Sequence, residues 1–90
     1  MTNLLPIGSV ITLKEGEKKL MIYGRVQFNT EINMAFDYLG CFYPEGNIGE
    51  EYNFLFNHED IGTVHFIGFV SVEEQAYVQE IDEFLKKNVE

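Results

Sequence analysis

The chain has 90 residues, which suits a single domain over residues 1–90, and its 46% hydrophobic content is too high for a disordered segment. Its formal net charge is −9, and between Val26 and Leu85 the sequence has twelve acidic residues but no Lys or Arg. Such a surface would repel a phosphate backbone or an anionic membrane, so we expect neither nucleic acid nor membrane as a partner.

The predicted strands cover residues 8–14, 19–28, 34–43 and 63–70. A turn around Gly16 joins the first two strands into a hairpin. Pro44 ends the third strand, because proline cannot donate to the hydrogen-bond ladder. In the second strand, alternation directs Leu20 and Ile22 to one face and Met21 and Arg25 to the other.

Residues 48–61 are interpreted as a short aromatic strand followed by one helical turn. The aromatic residues that alternate along this strand are Tyr52, Phe54 and Phe56. Asn57, followed three residues later by Asp60, is typical of a capped turn. We expect this segment to cross the open end of the sheet.

The last element is predicted to be a helix that begins after Ser71. Ser71 and Glu74 have the spacing of a capping box, in which the hydroxyl and the carboxylate bind the first free backbone amides. The apolar stripe expected to face the sheet consists of Tyr77, Ile81, Phe84 and Leu85. The fold class is therefore α+β: a curved antiparallel sheet of four to five strands with one C-terminal helix. An incomplete SH3-like barrel is one form of such a sheet.

Three features favour a soluble protein of the cytoplasm. A single cysteine, Cys41, allows no intramolecular disulfide framework, which suits a reducing compartment. Residues 1–6 lack the basic region and apolar run of a secretory signal peptide. No apolar stretch approaches the roughly 20 residues that span a bilayer.

The sequence predicts no catalytic, metal or cofactor site. Cys41 lies among apolar strand residues without a Cys–His signature, which is typical of a small buried side chain. The spacing of His58, Glu59 and Asp60 matches no zinc or calcium loop, and His65 lies on a separate strand. The glycines form no phosphate-binding loop. We therefore expect a protein that is not an enzyme.

A binding surface is the more plausible function. Thirteen aromatic residues exceed what so small a core encloses, and exposed aromatics in a negative field suit a protein–protein hot spot. The candidate stretch is residues 42–56, which equally well closes the sheet. The acidity either keeps the protein soluble or selects a basic partner. A free sheet edge offers a second route, by strand addition or by receiving a helix.

Several segments together resemble a known small family. They are LLPIGSV at 4–10, EKKLMIYGR at 17–25, FDYLG at 36–40, YPEGN at 43–47 and FLFNHEDI at 54–61. This set is similar to the domain-of-unknown-function family 4176 of Gram-positive bacteria. The resemblance extends from about Leu4 to Phe69, and the helix after Ser71 is generic.

The resemblance implies an accessory or targeting factor of the type VII secretion system, since members are typically encoded beside LXG toxins. Such an adaptor or chaperone would bind the helical N-terminal LXG region of the toxin and present it, with small helical partners, for export. The residues expected to contact the partner are Tyr43, Glu45, Tyr52, Phe54, His58 and Glu59. The family-like loops either make these contacts or build the turns.

Two other functions stay open. An immunity protein would bind the toxin's C-terminal catalytic domain, and acidity suits the blocking of a basic active site. A small metal-dependent hydrolase around His58 is the third hypothesis. The identity of the toxin, the stoichiometry, the oligomeric state and export together with the toxin are not determined by the sequence.

Overall fold

The computed structural model describes residues 4–89, with side chains described through Lys87. It contains five strands and one α-helix: β1 Val10–Leu13, β2 Leu20–Asn29, β3 Met34–Phe42, β4 Asn53–Phe56, β5 Ile61–Phe66 and α1 Val72–Val89. Single 3-10 turns at Glu50–Tyr52 and His58–Asp60 flank β4. The predicted α+β class is confirmed.

The five strands form one antiparallel sheet in the order β4-β3-β2-β1-β5. Its centre is the long β2–β3 hairpin, and β5 returns along β1 to complete the sheet. In the part of the chain that the structure describes, the sheet stays open, with β4 and β5 at its edges. The last predicted strand is displaced toward the N-terminus, because β5 begins at Ile61 and ends at Phe66 instead of covering 63–70.

The prediction that Arg25 lies on the face opposite Ile22 is wrong, because β2 contains a bulge. Ile22 pairs with Gly40 and Gly24 pairs with Leu39, so Tyr23 is the extra residue and the alternation shifts by one position. Arg25 consequently pairs with the buried Tyr38 and is itself buried. The guanidinium thus lies on the same face as Ile22.

The hydrophobic core lies between this face of the sheet and the helix. Its buried members are Leu4, Ile11, Leu20, Ile22, Tyr38, Phe56 and Ile81. Phe42, Phe54 and Leu85 pack against them while staying partly exposed. The core draws on all three parts of the fold: the N-terminal segment, the sheet and the helix.

The helix begins as predicted at the hydroxyl of Ser71, which accepts a hydrogen bond from the backbone N–H of Glu74 at 3.1 Å. The predicted role of the Glu74 carboxylate is wrong, since both of its oxygens bind Arg25. The apolar residues of α1 that face the sheet also differ from the predicted ones. Ile81 and Leu85 contact the core as expected, whereas Tyr77 and Phe84 are about half exposed.

Candidate partner-binding surface

A buried tyrosine connects the FDYLG string to the NHEDI string. The hydroxyl of Tyr38 accepts a hydrogen bond from the backbone N–H of Leu5 at 2.9 Å and lies 2.6 Å from Nδ1 of His58. With Leu5 as its donor, the hydroxyl can direct its own hydrogen to His58. Burial raises the pKa of Tyr38, so the phenol stays protonated. The imidazole predicted to contact a partner therefore faces a core residue.

The turn after β4 is capped as predicted. The backbone N–H of Asn57 donates to Asp60 Oδ2 at 2.9 Å, and the Asn57 side-chain oxygen accepts from the backbone N–H of Asp37 at 3.1 Å. Asp37 in turn accepts from the backbone N–H of His58 at 2.9 Å. These bonds join the turn to β3, and they leave Glu59 facing solvent.

The aromatic residues from β3 to β4 pack on one another. The ring of Phe42 lies 5.9 Å from that of Tyr52 and 5.2 Å from that of Phe54, between ring centres. Phe54 contacts the core, whereas Tyr43 and Tyr52 are about two-fifths exposed. This stretch thus closes the sheet and also presents part of two rings to solvent.

Glu45, in the YPEGN turn, binds a cation of this same chain. Its carboxylate lies 2.8 Å from Nζ of Lys18, which also lies over the ring of Phe42. The hydrogen bond from Lys18 lowers the pKa of Glu45. Of the six predicted contact residues, Glu45, Tyr52 and Phe54 therefore lie around Phe42 and His58 lies beside Tyr38, while Tyr43 and Glu59 are exposed.

The largest exposed apolar side chains lie elsewhere, in residues 66–72, which we name the apolar segment. Phe69 is 82% exposed and Val72 81% exposed, and Phe66, Ile67 and Val70 each exceed one half. Sequence reasoning missed this surface because it placed residues 63–70 in a strand. The signal was the run FIGFV, in which apolar residues occupy both faces and polar alternation stops.

A buried hydroxyl holds the apolar segment in place. Ser9 is fully buried, and its Oγ accepts a hydrogen bond from the backbone N–H of Gly68 at 3.0 Å while donating to the carbonyl of Pro6 at 2.8 Å. A Cβ at Gly68 would collide with the carbonyl oxygen of Ile7, so only glycine fits this approach. The exposed side chains on either side of Gly68 therefore extend from a fixed backbone.

A groove of about 390 Å³ lies beside this segment, on the sheet face opposite the helix. Its lining is mainly apolar and consists of Gly8, Val10, Met21, Tyr43 and Phe66, with Lys19 and His65. His65, an exposed residue of β5, lies 3.2 Å from the hydroxyl of Thr12 through Nε2. The groove and the apolar segment share Phe66 and form one continuous surface.

The remaining candidate residues for chemistry are the metal-ligating side chains and Cys41. Within residues 4–87, no three His, Cys, Asp or Glu side chains lie together as metal ligands would. Cys41 is buried, and burial raises the pKa of its thiol. No helix in the described part of the chain has the length and apolar character needed to cross a membrane.

The family model for a domain of unknown function, DUF4176, matches residues 4–77. The chain belongs to this family. The match spans the whole sheet, the apolar segment and the first turns of α1, including every string on which the resemblance was recognised. No curated protein and no solved structure was found to match the chain.

Proposed function

We propose that this DUF4176 chain is a non-enzymatic adaptor in the cytoplasm of a Gram-positive bacterium. It binds the N-terminal LXG region of a type VII secretion toxin, with small helical secretion partners, and promotes export of the toxin. The toxin part of this proposal rests on family membership, because the resemblance implies that members are encoded beside LXG toxins. The structure supports the more general half, which is the binding of another protein.

The observation that carries this half is the apolar segment. Burial of apolar surface is favourable by about 25 cal/mol for each Å². The highly exposed side chains of Phe69 and Val72 gain this free energy only when a partner covers them. Their backbone is already ordered through Ser9 and Gly68, so less conformational entropy is lost on binding than for a disordered loop. A fixed, exposed apolar surface is a feature of protein-binding modules.

The test is co-purification of the chain with the neighbouring toxin, produced as separate N-terminal and C-terminal halves. We expect stable capture of the N-terminal half, and reduced toxin in the culture medium when the adaptor gene is deleted. Complementation with the wild-type gene is the control. Failure to capture the N-terminal half would contradict the proposal.

The immunity function is the second candidate, and the acidic helix surface favours it. Glu73, Glu80 and Glu83 are exposed on α1, where they could occupy a basic catalytic cleft. In the same co-purification, capture of the C-terminal half alone, together with protection of cells that express this half, would replace the adaptor function by immunity.

A further inference from the structure

The apolar segment lies within a longer stretch that has no charge. From Ile61 to Val72 the sequence contains no Asp, Glu, Lys or Arg, and every residue from Gly62 to Phe66 is exposed. Exposed acids border the stretch at both ends, with Glu59 and Asp60 before it and Glu73 after it. The stretch thus has an apolar centre and acids at both ends of its sequence, and its neighbouring cations are Lys14, whose backbone N–H donates to the carbonyl of Asp60, and Lys19 of the groove.

We propose that residues 61–72 form the docking site for a partner segment with an apolar centre and Lys or Arg at both ends. The apolar centre would cover Phe69 and Val72, and the cations would approach Glu59 and Glu73. This assignment deepens the proposed function and rests on its claim that the chain binds a protein. It specifies which surface is used and what chemistry the partner presents.

Charge argues for a different protein as the occupant, instead of a second copy. Each copy carries a net charge of −9, so association of two copies is opposed by repulsion between like charges. A symmetric contact uses the same patch on both copies, which would place the acids of the two copies in one interface. A segment with basic ends is attracted to the same surface and is steered toward it at low ionic strength.

The shape of β5 argues for contact through side chains instead of an added strand. Pairing with β1 is interrupted twice, and the extra residues on β5 are Gly62 and His65. Bulges twist an edge strand and limit regular pairing with a further strand. The most exposed apolar side chains also lie beyond the end of β5, at Phe69 and Val72.

Fluorescence anisotropy with labelled peptides tests the proposal without any toxin. The first peptide has a Leu-rich centre and two Lys at each end; a second has Glu at its ends, and a third keeps the Lys ends around a Ser-rich centre. We expect the first peptide to bind about tenfold or more tightly than either of the others, which corresponds to about 1.4 kcal/mol. Equal binding of the first two peptides would overturn the charge assignment, and equal binding of the first and third would overturn the apolar one.

Protein variants locate the site. The double variant Phe69→Ser and Val72→Ser should weaken binding of the first peptide about tenfold. The control is Phe28→Ser with Met34→Ser, which removes two apolar side chains that are 57% and 50% exposed at the end of the β2–β3 hairpin and keeps the net charge. All four substitutions are at exposed positions, and circular dichroism confirms the fold of each variant. Equal losses in the two double variants would overturn the location.

The acids are tested separately. Glu59→Gln with Glu73→Gln should lower the affinity and flatten its dependence on salt, whereas Glu31→Gln with Glu83→Gln, also exposed, should change it less. Analytical ultracentrifugation of the unmodified protein measures its oligomeric state, and we expect a monomer. A dimer that dissociates when Phe69 is replaced would overturn the proposal, because the occupant would then be a second copy.

The two proposals fail in different experiments. Binding of the Lys-ended peptide at Phe69 and Val72, without capture of either toxin half, leaves the docking site and removes the toxin function. Capture of the N-terminal toxin half that persists unchanged in the Phe69→Ser and Val72→Ser variant removes the docking site and leaves the adaptor function.

Discussion

Replacement of Glu74 by Gln tests how the helix is held on the sheet. The two carboxylate oxygens of Glu74 bind the two terminal nitrogens of Arg25 at 2.6 and 2.8 Å, and the side chains are only 14% and 3% exposed. Gln keeps the shape but removes the charge, so the guanidinium stays buried without a counter-charge. Breaking a buried pair in this way costs about 3–5 kcal/mol. A chain of this length has a total stability of roughly 5–13 kcal/mol, so the loss is a large fraction.

Urea unfolding followed by circular dichroism measures this loss. Glu73→Gln is the matched control, because it removes an exposed charge from the neighbouring position of the same helix, and we expect a change of no more than about 1 kcal/mol. Replacing both partners, Arg25→Met with Glu74→Leu, should recover most of the stability, since no unpaired charge remains. A loss in Glu74→Gln no greater than in Glu73→Gln would refute the reasoning.

Four further outcomes are expected. Tyr38→Phe leaves the Leu5 amide without its acceptor and should cost about 1–3 kcal/mol in urea unfolding. Because burial raises the folded-state pKa of Cys41 above its ordinary 9.0, stability should fall as pH rises past that value, and Cys41→Ala should reduce this fall in a pH series of melts. Asp60→Ala removes the acceptor of the Asn57 amide and should cost about 1 kcal/mol by urea unfolding. Gly68→Ala should lower the melting temperature through the collision with Ile7, whereas Gly16→Ala, whose Cβ would make only ordinary contacts with Leu13, should lower it less.

Local chemistry made much of the fold predictable. Gly16, Pro44 and Ser71 each act on their own neighbours in sequence, and each ends or begins an element near the predicted position. The turn capped by Asn57 and Asp60 was predictable for the same reason, since the capping bond between these two residues spans only three positions.

The orientation of Arg25 was not predictable in this way. It depends on a bulge at Tyr23, and a bulge arises from the register between two paired strands, not from local sequence. Strict alternation of side chains along β2 does not account for the extra residue, so it places Arg25 on the wrong face. The ion pair with Glu74, 49 residues away, also explains why the capping box formed only in half.

The candidate site was missed for a related reason. Whether an apolar run such as residues 66–72 is buried depends on where the sheet ends, and β5 is an edge strand. The aromatic content of residues 42–56 predicted a binding surface there instead, yet those rings largely pack on one another and on the core. Exposure, more than aromatic content, distinguishes the two surfaces.

The hydrogen bonds give the family-like strings a common physical role. Ser9 of the first string binds Gly68, Tyr38 of the third binds Leu5, and Asn57 of the last binds Asp37. Each bond joins segments that are distant in the chain, so the strings specify how the pieces of the sheet and the N-terminal segment assemble. The hydrogen bond between Ser9 and Gly68 also fixes the backbone of the apolar segment. In the proposed docking mode the partner contacts Phe69 and Val72, and these three hydrogen bonds hold together the segments of the fold that carry those side chains.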